Sequence, residues 1–215
     1  MWNLNHARQR VNDRLAEDST VFWSSEIRDE YINDAQRFIA AATMGVEEQV
    51  NGVVAEGTPF LTLPDRVLNA HPAQAYCHDG RMLSVVPMAT ATSVDPNWRS
   101  RIAAYPLWAI PHFSDKIVYF SPRPRDPVNV TISVSVLPDP VEAGSDLLFN
   151  GEEIMERYLN VFVNLAVSFA LLKERYDGDS ERYYQLAVAE LGALGVNIED
   201  IPSFKRVREE TRERE

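Results

Sequence analysis

Residues 128–136 read VNVTISVSV. Val128, Val130, Ile132, Val134 and Val136 alternate with Asn129, Thr131, Ser133 and Ser135, the period of two that separates the faces of a strand. The run predicts an antiparallel strand with one buried and one wetted face. Residues 116–120, KIVYF, are its expected partner, and the proline-stiffened SPRPRDP between them is the expected hairpin tip. Weaker strand expectations fall at residues 58–63, 82–87 and 108–110. Twelve of the thirteen prolines lie between Pro59 and Pro140, which excludes long helices there. The middle of the chain therefore reads as a small β domain.

Both flanks read as helix. In residues 23–42, WSSEIRDEYINDAQRFIAAA, an apolar stripe of Ile27, Tyr31, Ala35, Phe38 and Ala42 is widened by Ile32 and Ile39. Glu26, Arg28, Asp29, Glu30, Asn33, Asp34 and Arg37 take the other side. Ser24 and Ser25 are N-cap candidates, and Glu26 and Asp29 suit the dipole of the first turn. Before this helix, Leu4, Ala7, Val11 and Leu15 share the face of a weaker one that Asp18-Ser19-Thr20 should end. After it, a break at Gly45 is followed by Asn51-Gly52 and Glu56-Gly57, expected turn material.

Beyond Pro140, Ile154, Tyr158, Val161, Phe162, Leu165, Phe169 and Leu172 keep helical spacing with apolar flanks, the pattern of a helix buried on most of its circumference. Asp177-Gly178-Asp179-Ser180 should form a turn and N-cap. Residues 181–194 then return as an antiparallel helix with Tyr184, Ala187, Leu191 and Leu194 inward and Gly195 as its C-cap. The last eleven residues, KRVREETRERE, carry nine charges and one apolar side chain, Val207. They predict a solvated tail, or an arm that orders on a partner and buries nothing in its own subunit. The expected organisation is α+β: a helical bundle from N-terminal helices (1–56) and a C-terminal helical hairpin (141–198), an inserted antiparallel β domain (57–140), and a charged arm (199–215).

A chain of 215 residues can bury a real core in one domain or two small ones. Its 45% hydrophobic and 25% charged makeup is that of an ordinary globular protein. No signal peptide is expected at the N-terminus. The longest apolar run, residues 161–172, is interrupted by Asn164 and Ser168 and reads as too short for a membrane span. Cys77 is alone, so no intrachain disulfide forms. Acids outnumber bases 32 to 21, giving a net charge of −11, the wrong sign for gripping phosphates. That charge suits solubility, and equally a wall that DNA passes without sticking.

No catalytic, cofactor or metal constellation stands out. Tyr76-Cys77-His78-Asp79-Gly80, with His71 nearby, lacks the spaced pairs a zinc site needs, and reads as a β-turn with an incidental thiol. Asp126, Asp139 and Asp146 are too scattered for a calcium loop. Glu47-Glu48 and Glu152-Glu153 read as acids at helix ends. Trp98, Tyr105, Trp108, His112 and Phe113 could present a stacking face to a sugar or base. The simpler expectation is that Trp98 and Trp108 pin proline-rich loops onto the sheet.

Several segments carry a resemblance in their order and spacing. Trp23 precedes Ile27 and the run Tyr31-Ile32-Asn33-Asp34-Ala35-Gln36. Leu63-Pro64-Asp65, an Asp79-Gly80 turn, Asp95-Pro96-Asn97-Trp98 and Tyr119-Phe120-Ser121-Pro122-Arg123-Pro124 follow. A strand closing on Pro138 then leads to a long helix and an alanine-rich return helix. Together these resemble the head-to-tail adaptor (connector) proteins of tailed bacteriophages.

The resemblance implies a virion structural protein without catalysis or cofactor, made in the host cytoplasm and placed in the neck between capsid portal and tail. It implies a homo-oligomeric ring, usually of twelve subunits, beneath the portal protein. Tail or nozzle proteins dock below, DNA passes through without specific binding, and no membrane is involved. Residues 201–215 become the portal-docking arm, with Phe204 as apolar anchor and Lys205, Arg206 and Arg208 facing portal acids. The polar face with Arg28, Asn33, Asp34 and Arg37 becomes a candidate subunit interface. The competing reading is a carbohydrate- or ligand-binding module built on the aromatic cluster. A hydrolase using Cys77 and a histidine ranks behind both.

Overall fold

The computed structural model describes residues 2–15, 25–68, 74–112, 116–174, 176–197, 199 and 201–213. In chain order the helices are α1 (Leu4–Leu15), α2 (Ser25–Thr43), α3 (Met88–Val94), α4 (Leu159–Lys173), α5 (Asp177–Ala193) and α6 (Phe204–Glu213). The strands are β1 (Glu47–Val54), β2 (Phe60–Thr62), β3 (Gln74–Cys77), β4 (Ser84–Val85), β5 (Ile102–Ala103), β6 (Trp108–His112), β7 (Ile117–Ser121), β8 (Arg123–Pro124) and β9 (Val128–Ser135). The fold is mixed α+β. It divides into two compact units, Met1–Val46 with Pro138–Glu215, and Glu47–Leu137.

The first unit is helical, and α4 is its axis. Every residue from Val161 to Ala170 is buried, as the all-round apolar pattern requires, and α5, α2 and α1 pack around it. Leu4, Ala7 and Val11 come in from α1, Tyr31, Ile32, Ala35 and Ile39 from α2, and Tyr184, Ala187 and Leu191 from α5. Phe38 meets Phe169 and Tyr184 edge-on, with ring centroids 6.2 and 6.0 Å apart. The stretch Met155–Lys173 is long and apolar enough to span a bilayer by length and composition, longer than the run read from sequence, and 72% of its apolar window is buried inside the protein. Packing accounts for its character.

Helix α5 starts at Asp177, so the four residues expected as a preceding turn are its first turn, with Asp177 and Asp179 toward the positive end of the dipole. Its other end closes on Gly195 at φ 87°, where the Val196 and Gly195 amides donate to the Leu191 and Gly192 carbonyls, both at 3.0 Å. The expected cap at Ser24 and the stop at Asp18-Ser19-Thr20 lie outside the described residues.

The second unit holds three small sheets, ordered β1-β9-β3, β2-β7-β6-β4 and β5-β8. Strand β9 buries Val128, Val130, Ile132 and Val134 as the alternation predicts, but Ser133 on the expected wet face is buried as well. Its neighbours differ from expectation. It pairs antiparallel with β1 and β3, whereas β7 pairs with β2 and β6. The proline-rich link is no hairpin tip: β8 lies within it and pairs in parallel with β5, carrying the chain from one sheet to another.

The N-terminal helical stretch, expected to reach residue 56, gives way to strand at Glu47. Asn51-Gly52, expected as a turn, sits inside the ladder opposite Thr131 and Val130. The Thr131 hydroxyl donates to Asn51 Oδ1 at 2.6 Å, and a Cβ at Gly52 would lie 2.2 Å from Leu61 Cδ1. The glycine here makes room for a neighbouring side chain. Glu47 and Glu48 are therefore strand residues, and Glu48 pairs with Arg66.

Candidate functional site

In the helical unit, the polar face of α2 is largely used within the unit itself. Arg28 is only 5% exposed and its Nη1 donates to Asn12 Oδ1 at 2.6 Å. Asn33 grips the backbone of Val141 twice: its Nδ2 donates to the carbonyl at 3.1 Å, and its Oδ1 accepts from the amide at 2.8 Å. Gln36, fully buried, donates to Asn33 Oδ1 at 2.8 Å and to the Asp139 carbonyl at 3.1 Å, and accepts from the Phe149 amide at 3.2 Å. Asp34 is half-buried and engaged. Of the four residues expected at a subunit contact, Arg37 alone is exposed.

The C-terminal arm corrects an expectation. Residues 204–213 form α6, which lies on α4 and α5, with Phe204 6% and Val207 8% exposed. The Phe204 ring tilts against Tyr184 at 5.6 Å, and the Tyr184 hydroxyl donates to the Pro202 carbonyl. Arg208 reaches Asp177 Oδ2 at 3.4 Å. The helical step from 204 to 207 puts the two apolar side chains on one face, so a mostly charged segment still buries a stripe in its own unit. The expected anchor Phe204 is thus spent within the subunit. Lys205 and Arg206 are exposed.

The β unit contains a cleft of about 200 Å³ lined by Pro59, Trp98, Arg99, Tyr119, Phe120 and Arg123. Its floor is built on Tyr119 of β7, whose ring meets Phe60, Trp98 and His112 edge-on at 5.9, 5.9 and 6.2 Å. Trp98 is 4% exposed and clusters with Ala91 and Ile110, and its Nε1 donates to Thr92 Oγ1 at 3.2 Å. Trp108 packs against the same cluster. Trp98 therefore pins a loop, as the simpler expectation held, and its face is closed to a stacking sugar. Phe113 lies outside the described residues, and Tyr105 has the Arg81 guanidinium 4.0 Å from its ring centroid while remaining 38% exposed.

Two arginines that sequence reasoning passed over give this cleft its chemistry. The turn Asp95-Pro96-Asn97-Trp98 presents Arg99, because the Trp98 amide donates to the Asp95 carbonyl at 3.0 Å and the Ser121 hydroxyl to the Trp98 carbonyl at 2.9 Å. The Arg99 guanidinium lies over Trp98 at 5.0 Å and Tyr119 at 6.0 Å. Strand β8 holds Arg123, whose Nε is buried without an acceptor. A stranded buried donor costs about 1–3 kcal/mol. The nearby carboxylate of Asp95 is occupied, with Arg101 Nε at 2.5 Å from its Oδ2. The only sequence signal was the arginine content of NWRSR and SPRPR within an acidic chain.

The Cys77 region forms a turn. The Gly80 amide donates to the Cys77 carbonyl at 2.9 Å with Gly80 at φ 81°, and Tyr76 bridges Met82. Burial pushes the Cys77 thiol up from its ordinary value, with the Asp79 charge adding to the shift. His71 lies outside the described residues, and among those described no group of three His, Cys, Asp or Glu side chains could hold a metal. No family model matches the chain, and no curated protein matches it.

Proposed function

We propose that this chain is a structural subunit of a phage virion, a head-to-tail adaptor that assembles as a ring beneath the portal, extends the DNA channel and offers a platform to tail proteins. The observation that carries the reading is the order of the family-like segments, from Trp23 through Asp95-Pro96-Asn97-Trp98 to the strand ending at Pro138. A helical unit drawn from both ends of the chain, with a continuous β segment between, supports the bundle-plus-inserted-β arrangement of such a subunit. The net charge of −11 suits a channel wall that does not retain DNA. The reading involves no catalysis.

The docked α6 alters how the arm would engage a portal. Lys205 and Arg206 face outward and can meet portal acids with α6 in place. Use of Phe204 as an anchor would first require its release from Tyr184. Co-expression with a candidate portal, followed by imaging of the purified product, tests the proposal. A ring stacked on the portal supports it, and persistent failure to co-purify sinks it. Reversal of Lys205 and Arg206 to glutamate should then abolish the stacked particle without unfolding the subunit.

A further inference from the structure

The Arg99–Arg123 cleft has the chemistry of a carboxylate receptor, and we infer that it takes an acidic side chain from a protein partner. Neither guanidinium has a carboxylate partner among the described residues, in a chain where acids outnumber bases 32 to 21. Arg99 is held by the Trp98 and Tyr119 rings and by a 3.6 Å contact from its Nη2 to the Met88 sulfur. It is positioned without being neutralised. Arg123 lines the same cleft half-buried; its Nε is closed off without an acceptor, so the remaining edge of the guanidinium is what is left for a carboxylate.

The surroundings select a protein over other anions. Ile102 stands directly across the β5–β8 pair from Arg123 and is 46% exposed. Leu107, whose amide donates to Ser121 at 2.8 Å, is 63% exposed. Apolar side chains beside arginine and aromatics are the composition of a protein-binding patch. They offer nothing to a phosphate backbone, which the overall negative charge also repels. The inference rests on the β unit alone and holds whether or not the subunit forms a ring.

Titration of the full ¹⁵N-labelled chain with end-capped hexaglutamate, followed at the arginine Nε–H resonances, tests it. Saturable shifts at Arg123 and Arg99 are expected, with R99Q and R123Q each weakening binding by about tenfold or more and R37Q on α2 leaving it unchanged. Absence of saturable shifts, or wild-type binding by R99Q, overturns the inference. So does a tighter response to hexathymidylate, which assigns the site to phosphate. An equal response to acetate at matched carboxylate concentration overturns the protein partner in favour of a small acid. Arg99 is exposed, so R99Q remains decisive if R123Q fails to fold.

Discussion

Ser168 and Ser180 exchange hydrogen bonds across the α4–α5 interface: each hydroxyl donates to the other residue's carbonyl at 2.8 Å, and both residues are fully buried. Two small polar residues therefore fasten the hairpin in a region with no access to water. Each hydroxyl also lies within 3.2 Å of the other.

Loss of either hydroxyl should cost roughly 0.5–1.5 kcal/mol, because it removes that hydroxyl's bond to the opposite carbonyl and the hydroxyl–hydroxyl contact, while the other hydroxyl keeps its own carbonyl. Urea unfolding of S168A, S180A and the double variant checks this. The double variant should cost slightly less than the sum of the singles, since both singles lose the one hydroxyl–hydroxyl contact. Strict additivity would mean the hydroxyl–hydroxyl contact adds nothing, and wild-type stability of both singles would mean the exchange is incidental.

Gln36 should be far less tolerant than its place on a polar-looking face suggests. Substitution Q36L fills the volume but strands the Phe149 amide and the Asp139 carbonyl. The amide alone should cost roughly 1–3 kcal/mol. Phe149, held at φ 53°, should respond most directly. Thermal unfolding together with amide exchange at Phe149 reads both effects, and an unchanged midpoint would refute the assignment.

Truncation at Phe204 should act locally. F204A removes a contact with Tyr184 worth about 1.5–3 kcal/mol of apolar burial. Hydrogen exchange should show α6 losing protection while α4 and α5 keep theirs. If α5 loses protection to the same degree, α6 belongs to the core of the helical unit.

Cys77 should be chemically silent in the folded protein. Its folded pKa is raised above the ordinary 9.0, so below that pH both states hold the proton and the thiol contributes no pH dependence. As pH rises from there through the folded value, the unfolded thiol ionises first and stability falls. Iodoacetamide labelling at pH 8 should be slow in buffer and fast in denaturant, and C77A should flatten the alkaline limb. Rapid labelling of the native protein would contradict the burial.

The apolar stripes of α2 and α4 were legible because side-chain period reports directly which face is covered. The burial of Arg28 and Gln36 was not. Their partners, Asn12, Asp139 and Phe149, lie in distant segments, and a polar side chain carries no local mark of having found one. Alternation identified β9 as a strand, yet alternation specifies faces and not neighbours, so its pairing with β1 and β3 stayed hidden. Asn51-Gly52 misled for a related reason, since the dipeptide favours turns until a strand offers it a ladder. The cleft arginines gave only a compositional hint. Their meaning depends on β5 and β8 meeting, a two-residue parallel pairing with no periodicity to read.

The position of β9 between β1 and β3 dictates the order in which a ribosome can complete this sheet. Both neighbours emerge first, and Asn51 must wait for Thr131, 80 residues later. Such long-range closure slows folding and leaves nascent strand edges unpaired in the interval. The glutamates and Asn51 of β1 guard its edge during that wait, as charged and polar edge residues do elsewhere. Replacing them with β-branched residues, however well these suit the finished ladder, should increase aggregation during synthesis more than it raises the stability of the finished protein.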